Sequence, residues 1–318
     1  STLEVLYITR PKPRAQRTAF HLRPCNSRKL RSGGPVGTGS GDCVEALFEY
    51  PVDHAVGHGG LRLLGVLHKT LRRDLVGEGE GPIARVVLER ARALYLQKGV
   101  RNPCYFAMDA TRPNGGAAGR RFYIICEADR SFRAVPAGHG NGRDLKGIAD
   151  FANGIRCAKN FSNAMDSKLT TGGAYVTGEE ITSFKGYYRN SSGKYVVLSR
   201  SFVQFDGEGD TANARPRAIG GHPAVLLREV CLRKDPDSPY ANKDGYVPFG
   251  TLVDYAGGRS NGCTSWSSSD ASQIIPMMKE PTTLYIYPES TDIAAVAQAV
   301  KAGRSPSRAG SYWNASCL

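Results

Sequence analysis

From residue 103 onward the chain is cut into short β-like runs by turn sequences, and no other feature restricts the fold as much. The runs are Cys104–Met108, Arg121–Cys126, Phe132–Pro136, Ala174–Thr177, Tyr195–Ser199 and Leu284–Tyr287. They are rich in aromatic and β-branched residues and too short for helices of ordinary length. Between them stand Arg112-Pro-Asn-Gly115, Gly138-His-Gly-Asn-Gly142, Asn190-Ser-Ser-Gly193 and Asp206-Gly-Glu-Gly209. These residue types supply the fixed or positive φ angles that tight turns need. Three helical patterns accompany the strands. Over 82–98 Val86, Val87, Ala91, Leu94 and Tyr95 share one face and Gly99 is a stop signal. A second helix is predicted from Ser268, Ser269 and Asp270, good N-cap types, to about Lys279, and an alanine-rich third over roughly 291–302. The pattern predicts a mainly β, α+β domain with peripheral helices. With 318 residues, 41% hydrophobic and 22% charged, the chain has the composition of a globular protein, which excludes the disordered and fibrous classes.

The first 80 residues read differently. Between Arg10 and Arg31 there are eight basic residues (Arg10, Lys12, Arg14, Arg17, Arg23, Arg28, Lys29 and Arg31) and no acidic one, against a net charge of +13 for the chain. Such an arm suits a polyanionic partner (nucleic acid, an anionic lipid face or an acidic polymer), with a solvated tail as the competing reading. No zinc-knuckle spacing or RNA-binding aromatic signature accompanies it, which disfavours nucleic acid. The following Ser32-Gly-Gly-Pro-Val-Gly-Thr-Gly-Ser-Gly-Asp42 lacks the Gly-Lys-Ser/Thr ending of a phosphate loop. His54 and His58 have helical spacing for a metal pair, but Gly57, Gly59 and Gly60 oppose a helix there. The expected division is an extension over 1–80 and a β-dominated domain over 81–318. No run of about 18 apolar residues exists, so no spanning helix is predicted. The opening Ser1-Thr-Leu-Glu-Val-Leu-Tyr7 has no basic segment leading into an apolar one.

Eight cysteines stand at 25, 43, 104, 126, 157, 231, 263 and 317. None forms a CxxC, so compact zinc and thioredoxin-type motifs are excluded. A chain of this size can fold without a disulfide framework, and spacing does not give connectivity. Cys263 lies in Tyr255-Ala-Gly-Gly-Arg-Ser-Asn-Gly-Cys-Thr-Ser-Trp266, among small polar residues and not inside an apolar run as core cysteines usually are. Such neighbours leave backbone N–H groups free to stabilise an oxyanion and to lower a thiol pKa. A turn cysteine, free or disulfide-bonded, is the competing reading. A nucleophilic thiol wants a base. His222, in Ala218-Ile-Gly-Gly-His-Pro-Ala-Val-Leu226, is either a core histidine bonded to backbone or a general base whose far nitrogen a carbonyl fixes. His139, on the glycine-rich turn, is the second candidate base.

Arg259-Ser-Asn-Gly-Cys-Thr264, preceded by His222 and followed by a helix and Thr283-Leu-Tyr-Ile-Tyr287, resembles the L,D-transpeptidase catalytic (YkuD-type) family. Phe122-Tyr-Ile-Ile125, Ala137-Gly-His-Gly140, Asn160-Phe-Ser-Asn163 and Thr171-Gly-Gly-Ala-Tyr-Val-Thr177 resemble its murein L,D-transpeptidase catalytic domain branch. The resemblance implies a β-sandwich or barrel catalytic domain. It implies Cys263 as nucleophile, His222 as base, N–H groups around Gly262 and Cys263 as oxyanion hole, and Ser260 as a residue shaping the motif. His139, Tyr175, Asn261 and Thr264 would line the substrate site. The donor would be a peptidoglycan tetrapeptide stem, and attack on its L,D bond would release D-Ala and leave a thioester for an amine to take. Water as acceptor would make an L,D-carboxypeptidase. An amidase acting on wall-attached peptides and a catalytically weak wall-binding protein compete with the transpeptidase reading. No metal or organic cofactor is called for, and a periplasmic or cell-envelope location follows from the implied substrate. A thiolate–imidazolium pair is expected, with a bell-shaped rate profile. The polar stretch Cys231–Asp254, between His222 and Cys263, is expected to form a lid or acceptor-binding flap whose deletion impairs activity more than folding.

Overall fold

The computed structural model describes residues 76–77, 82–113, 120–140, 142, 157–158, 160–255, 260–314 and 317. The basic arm 10–31, the glycine stretch, His54, His58, Cys25 and Cys43 lie outside them. The strands are β1 (Val76–Gly77), β2 (Ile83–Ala84), β3 (Cys104–Asp109), β4 (Phe122–Cys126), β5 (Ser131–Val135), β6 (Gly173–Arg189), β7 (Tyr195–Gly207), β8 (Gly220–Pro223), β9 (Val225–Lys234), β10 (Tyr246–Asp254), β11 (Thr264–Trp266) and β12 (Thr283–Tyr287). The helices are α1 (Arg85–Lys98), α2 (Ser268–Met277) and α3 (Ser290–Lys301).

Every residue of β3, β4 and β12 is buried. Their continuous apolar runs are those of strands covered on both faces. One face carries Tyr105, Tyr123 and Tyr285, packed under Val87, Ala91 and Leu94 of α1 and Ile83 of β2. The other carries Phe106, Phe122, Phe205, Trp266, Ile274, Ile275 and Leu284, under α2. Helix α1 ends where its sequence says it should, with Gly99 at φ 58° and its N–H donating to Tyr95 O. Helix α2 is capped one residue earlier than read from the sequence: Ser267 Oγ accepts from the Asp270 N–H at 3.1 Å.

Ten strands form one mixed sheet in the order β11-β8-β7-β6-β12-β3-β4-β5, with β10 on β6 and β9 on β10. The mainly β, α+β expectation holds, as an open mixed sheet with a few helices. Strands β6 and β7 run well beyond the short segments visible in the sequence, from Tyr175↔Gly207 to Arg189↔Tyr195. Their outer parts carry Glu179, Glu180, Thr182 and Ser183, with no apolar alternation, because that part of the hairpin is solvated. The turn Asn190–Gly193 closes it: Gly193 N–H donates to Asn190 O at 3.0 Å with φ 79°.

The stretch Cys231–Asp254 is not a detachable lid. It holds the end of β9 and all of β10, which pair antiparallel from Tyr246↔Lys234 to Asp254↔Val225. Strand β10 also joins β6 through Phe249↔Tyr187, and Val247 is fully buried. Only the connection between the two strands keeps the polar, turn-rich character that prompted the loop reading.

Candidate active site

Strand β8 brings the candidate residues together. It lies between β7 and β11, antiparallel to the first through Val203↔Gly221 and parallel to the second through Thr264↔Gly221 and Ser265↔His222. Paired neighbours share a face and successive residues alternate. A Cβ on Gly221 would run into Trp266, and one on Gly220 into the Phe202 ring. Gly221, Thr264 and Trp266 therefore face the α2 side, and Gly220, His222, Phe202 and Ser265 the other. Cys263, two residues before Ser265, follows that second face.

Cys263 is free and half-buried, while Cys104–Cys126 and Cys157–Cys317 form disulfides and Cys231 is disulfide-bonded as well. The thiol donates to Ala218 O at 3.5 Å. Burial pushes its pKa up. Hydrogen bonding to the Gly220 backbone and the charges of Arg200 and Arg217 pull it down. The His222 side chain is 7% exposed and its Nδ1 lies 2.9 Å from Pro223 O. A carbonyl only accepts, so Nδ1 carries the proton and Nε2 keeps a lone pair. Burial lowers the imidazole to about 4, against the bond to Pro223 O, and Arg200 and Lys185 add to the lowering. Burial thus works against the charged form of both thiol and imidazole.

The loop 260–263 is held by its own polar groups. Ser260 Oγ donates to Cys263 O and accepts from the Gly262 N–H at 3.2 Å, and Ser260 N–H donates to His139 O at 2.9 Å. Gly262 has φ 119°, and a Cβ there would stand 2.7 Å from Ile219 Cδ1, so glycine is required. Its N–H is taken by Ser260, which removes it from the expected oxyanion hole. The Cys263 N–H makes no backbone hydrogen bond among the described residues.

The other sequence candidates divide. Asn261 is exposed on the loop. Tyr175 is buried, donating to Thr171 O at 2.8 Å; burial raises its pKa, and the negative charge of an ionised Cys263 adds to this. It underlies the site, with its hydroxyl engaged. Thr264 is buried with its hydroxyl toward Met108 Sδ at 3.8 Å. Gly138 pairs antiparallel with Ser265, so His139 falls opposite Thr264, on the core side. It is 2% exposed with Nδ1 unpartnered, and burial and Arg121 hold its pKa well below the ordinary value. The strand register thus turns His139 and Thr264 to the face opposite that of His222.

Three residues not singled out in the sequence belong here. Arg217 donates to Ser162 O at 2.9 Å, Thr171 Oγ1 at 2.8 Å, Ser167 Oγ at 3.1 Å and Leu169 O at 2.6 Å, binding the 162–171 segment to the loop. Arg200 acts electrostatically on Cys263, His222 and Tyr255. Tyr255 follows β10 with its N–H on Ala224 O at 2.8 Å, and burial raises its phenol to about 12. Alternation carried past Ser199 would have put Arg200 on a strand; Arg217 had no sequence signal. Among the described residues no group of three or more His, Cys, Asp or Glu could hold a metal ion, and no helix is long and apolar enough to cross a membrane.

No family model and no curated protein matches the chain. Among solved structures, an L,D-transpeptidase from Mycobacterium smegmatis aligns with 57% of this chain and 58% of its own length, at 13% identity and a TM-score of 0.24. A likeness of that degree does not establish a shared fold.

Proposed function

We propose that this chain is a cysteine-dependent acyl-transfer enzyme of the L,D-transpeptidase type, acting on peptidoglycan stem peptides. One observation carries the reading: a free thiol, Cys263, shares a sheet face with His222, whose Nδ1 is fixed on Pro223 O. The sequence resemblance supplies the substrate. His222 Nε2 takes the thiol proton as Sγ attacks the carbonyl carbon of the L,D bond. The Cys263 N–H stabilises the negative oxygen. The C–N bond breaks, D-Ala leaves with the proton from His222, and a thioester remains. An acceptor amine attacks the thioester, its proton passes to His222, and the thiolate departs and is reprotonated. Water in place of the amine gives the carboxypeptidase reaction. Ser260 and Gly262 set the loop, and Tyr175 and Arg217 support it from beneath.

We place the enzyme in the periplasm or cell envelope. The disulfides Cys104–Cys126 and Cys157–Cys317 suit an oxidising compartment, and the arm over 10–31 would meet the anionic wall or membrane surface. Carbapenem acylation followed by intact mass tests the chemistry. The wild type gains one adduct, Cys263→Ala gains none, and His222→Ala gains it at least about a hundredfold more slowly. A folded wild type that takes no adduct overturns the proposal. Muropeptide analysis then separates cross-linking from trimming.

A further inference from the structure

Arg200 on β7 lies on the sheet face that carries His222, and Lys185 on β6 stands close enough to act on both. Val203↔Gly221 puts Phe202 across from His222, and Arg200 follows two residues along the same face, paired with Ser183. Lys185 is the extra residue of a bulge between Phe184↔Ser199 and Gly186↔Leu198. The two cations act on each other and on His222. Among the described residues neither makes a side-chain hydrogen bond or an ion pair. Elsewhere in the protein arginines meet carboxylates: Arg90 with Asp292, Arg92 with Glu127, Arg133 with Asp270, and Arg215 with Glu179 and Asp206. Arg217, the other cation near the thiol, is occupied by four oxygens of the 162–171 segment. The acid at the end of β10, Asp254, accepts from the Ser268 N–H at 3.2 Å.

Two like charges close together on one sheet face, with no counter-charge on them among the described residues, repel each other and draw an anion in. We infer that Lys185 and Arg200 form an anion subsite beside the reacting thiol, selecting an acyl donor that carries a carboxylate beside the carbonyl that Cys263 attacks. The inference rests on Cys263 as the reacting thiol and adds the charge class of what it reacts with.

Paired alkylation of the full chain tests it. Iodoacetate and iodoacetamide both form a bond from the Cys263 thiolate to carbon as the carbon–iodine bond breaks and iodide leaves; they differ in charge. Rates are read on the peptide containing Cys263, with Cys263→Ala as blank. Their ratio at one pH cancels the thiolate fraction and leaves the field felt by the anion. The wild-type ratio should exceed that of a small free thiol. Arg200→Ala and Lys185→Ala should each lower it about fivefold, Arg200→Lys should keep most of it, and about 0.5 M salt should shrink the differences. Lys185 is exposed, so its variant reports even if Arg200→Ala folds poorly. Ratios equal to wild type in both alanine variants overturn the subsite alone. A Cys263 that neither reagent alkylates overturns the subsite together with the acyl-transfer reading.

Discussion

His222 should make the protein sensitive to acid in a way that can be calculated. Its imidazole is lowered to about 4, chiefly by burial, whereas an unfolded chain titrates near its ordinary value of about 6.5. Between those values the unfolded state binds a proton that the folded state refuses. Stability therefore falls as pH drops through that window and levels off below about 4. The whole interval corresponds to about 3 kcal/mol, and about 2 kcal/mol of it is lost by about pH 5. His139 is held low as well and titrates in the same direction, so the wild type alone does not isolate His222. His222→Gln removes this one titration and keeps an N–H donor for Pro223 O. Denaturant midpoints and m-values measured at about pH 7.5 and about pH 5 give the two losses. The wild type should lose about 2 kcal/mol more than the variant, whatever their difference at neutral pH. Parallel losses would refute the account of His222 as a neutral, desolvated base.

Three further outcomes follow from the packing and the loop. Gly262→Ala forces a side chain into positive φ against Ile219; it should cost about 1–3 kcal/mol and slow carbapenem acylation about tenfold or more, read by mass. Arg217→Met leaves the Leu169 carbonyl without its donor, while the Ser162 carbonyl keeps the Thr171 hydroxyl; about 1–3 kcal/mol should be lost by chemical denaturation, with faster hydrogen exchange over 162–171. Deleting 231–254 should abolish soluble, cooperatively melting protein because β10 and buried Val247 go with it, whereas shortening only the tip within 236–244 should leave a sharp thermal transition.

The candidate nucleophile was legible because Cys263 stands among Gly, Ser and Asn, where no core would place a cysteine. His222 was legible because glycines interrupt its apolar run, and those glycines let Trp266 and Phe202 pack on β8. His139 was misjudged for a plain reason. Its glycine-rich neighbours imply an open turn, but the bridge Gly138↔Ser265 makes the segment an added edge beside β11 and turns the imidazole inward. The hairpin β9–β10 was hidden because its outer residues are polar.

The sequence by itself determined the elements with strong local signals: the fully apolar strands β3, β4 and β12, the stop of α1 at Gly99, the turn at Asn190–Gly193 and the small-residue loop around Cys263. Local chemistry decides such features within a few residues. Tertiary structure alone decided which face each side chain takes, because facing depends on register between strands far apart in the chain. Register separates Cys263 and His222 from Thr264 and His139, sets Arg200 on the face of His222, and turns a polar insertion into part of the sheet.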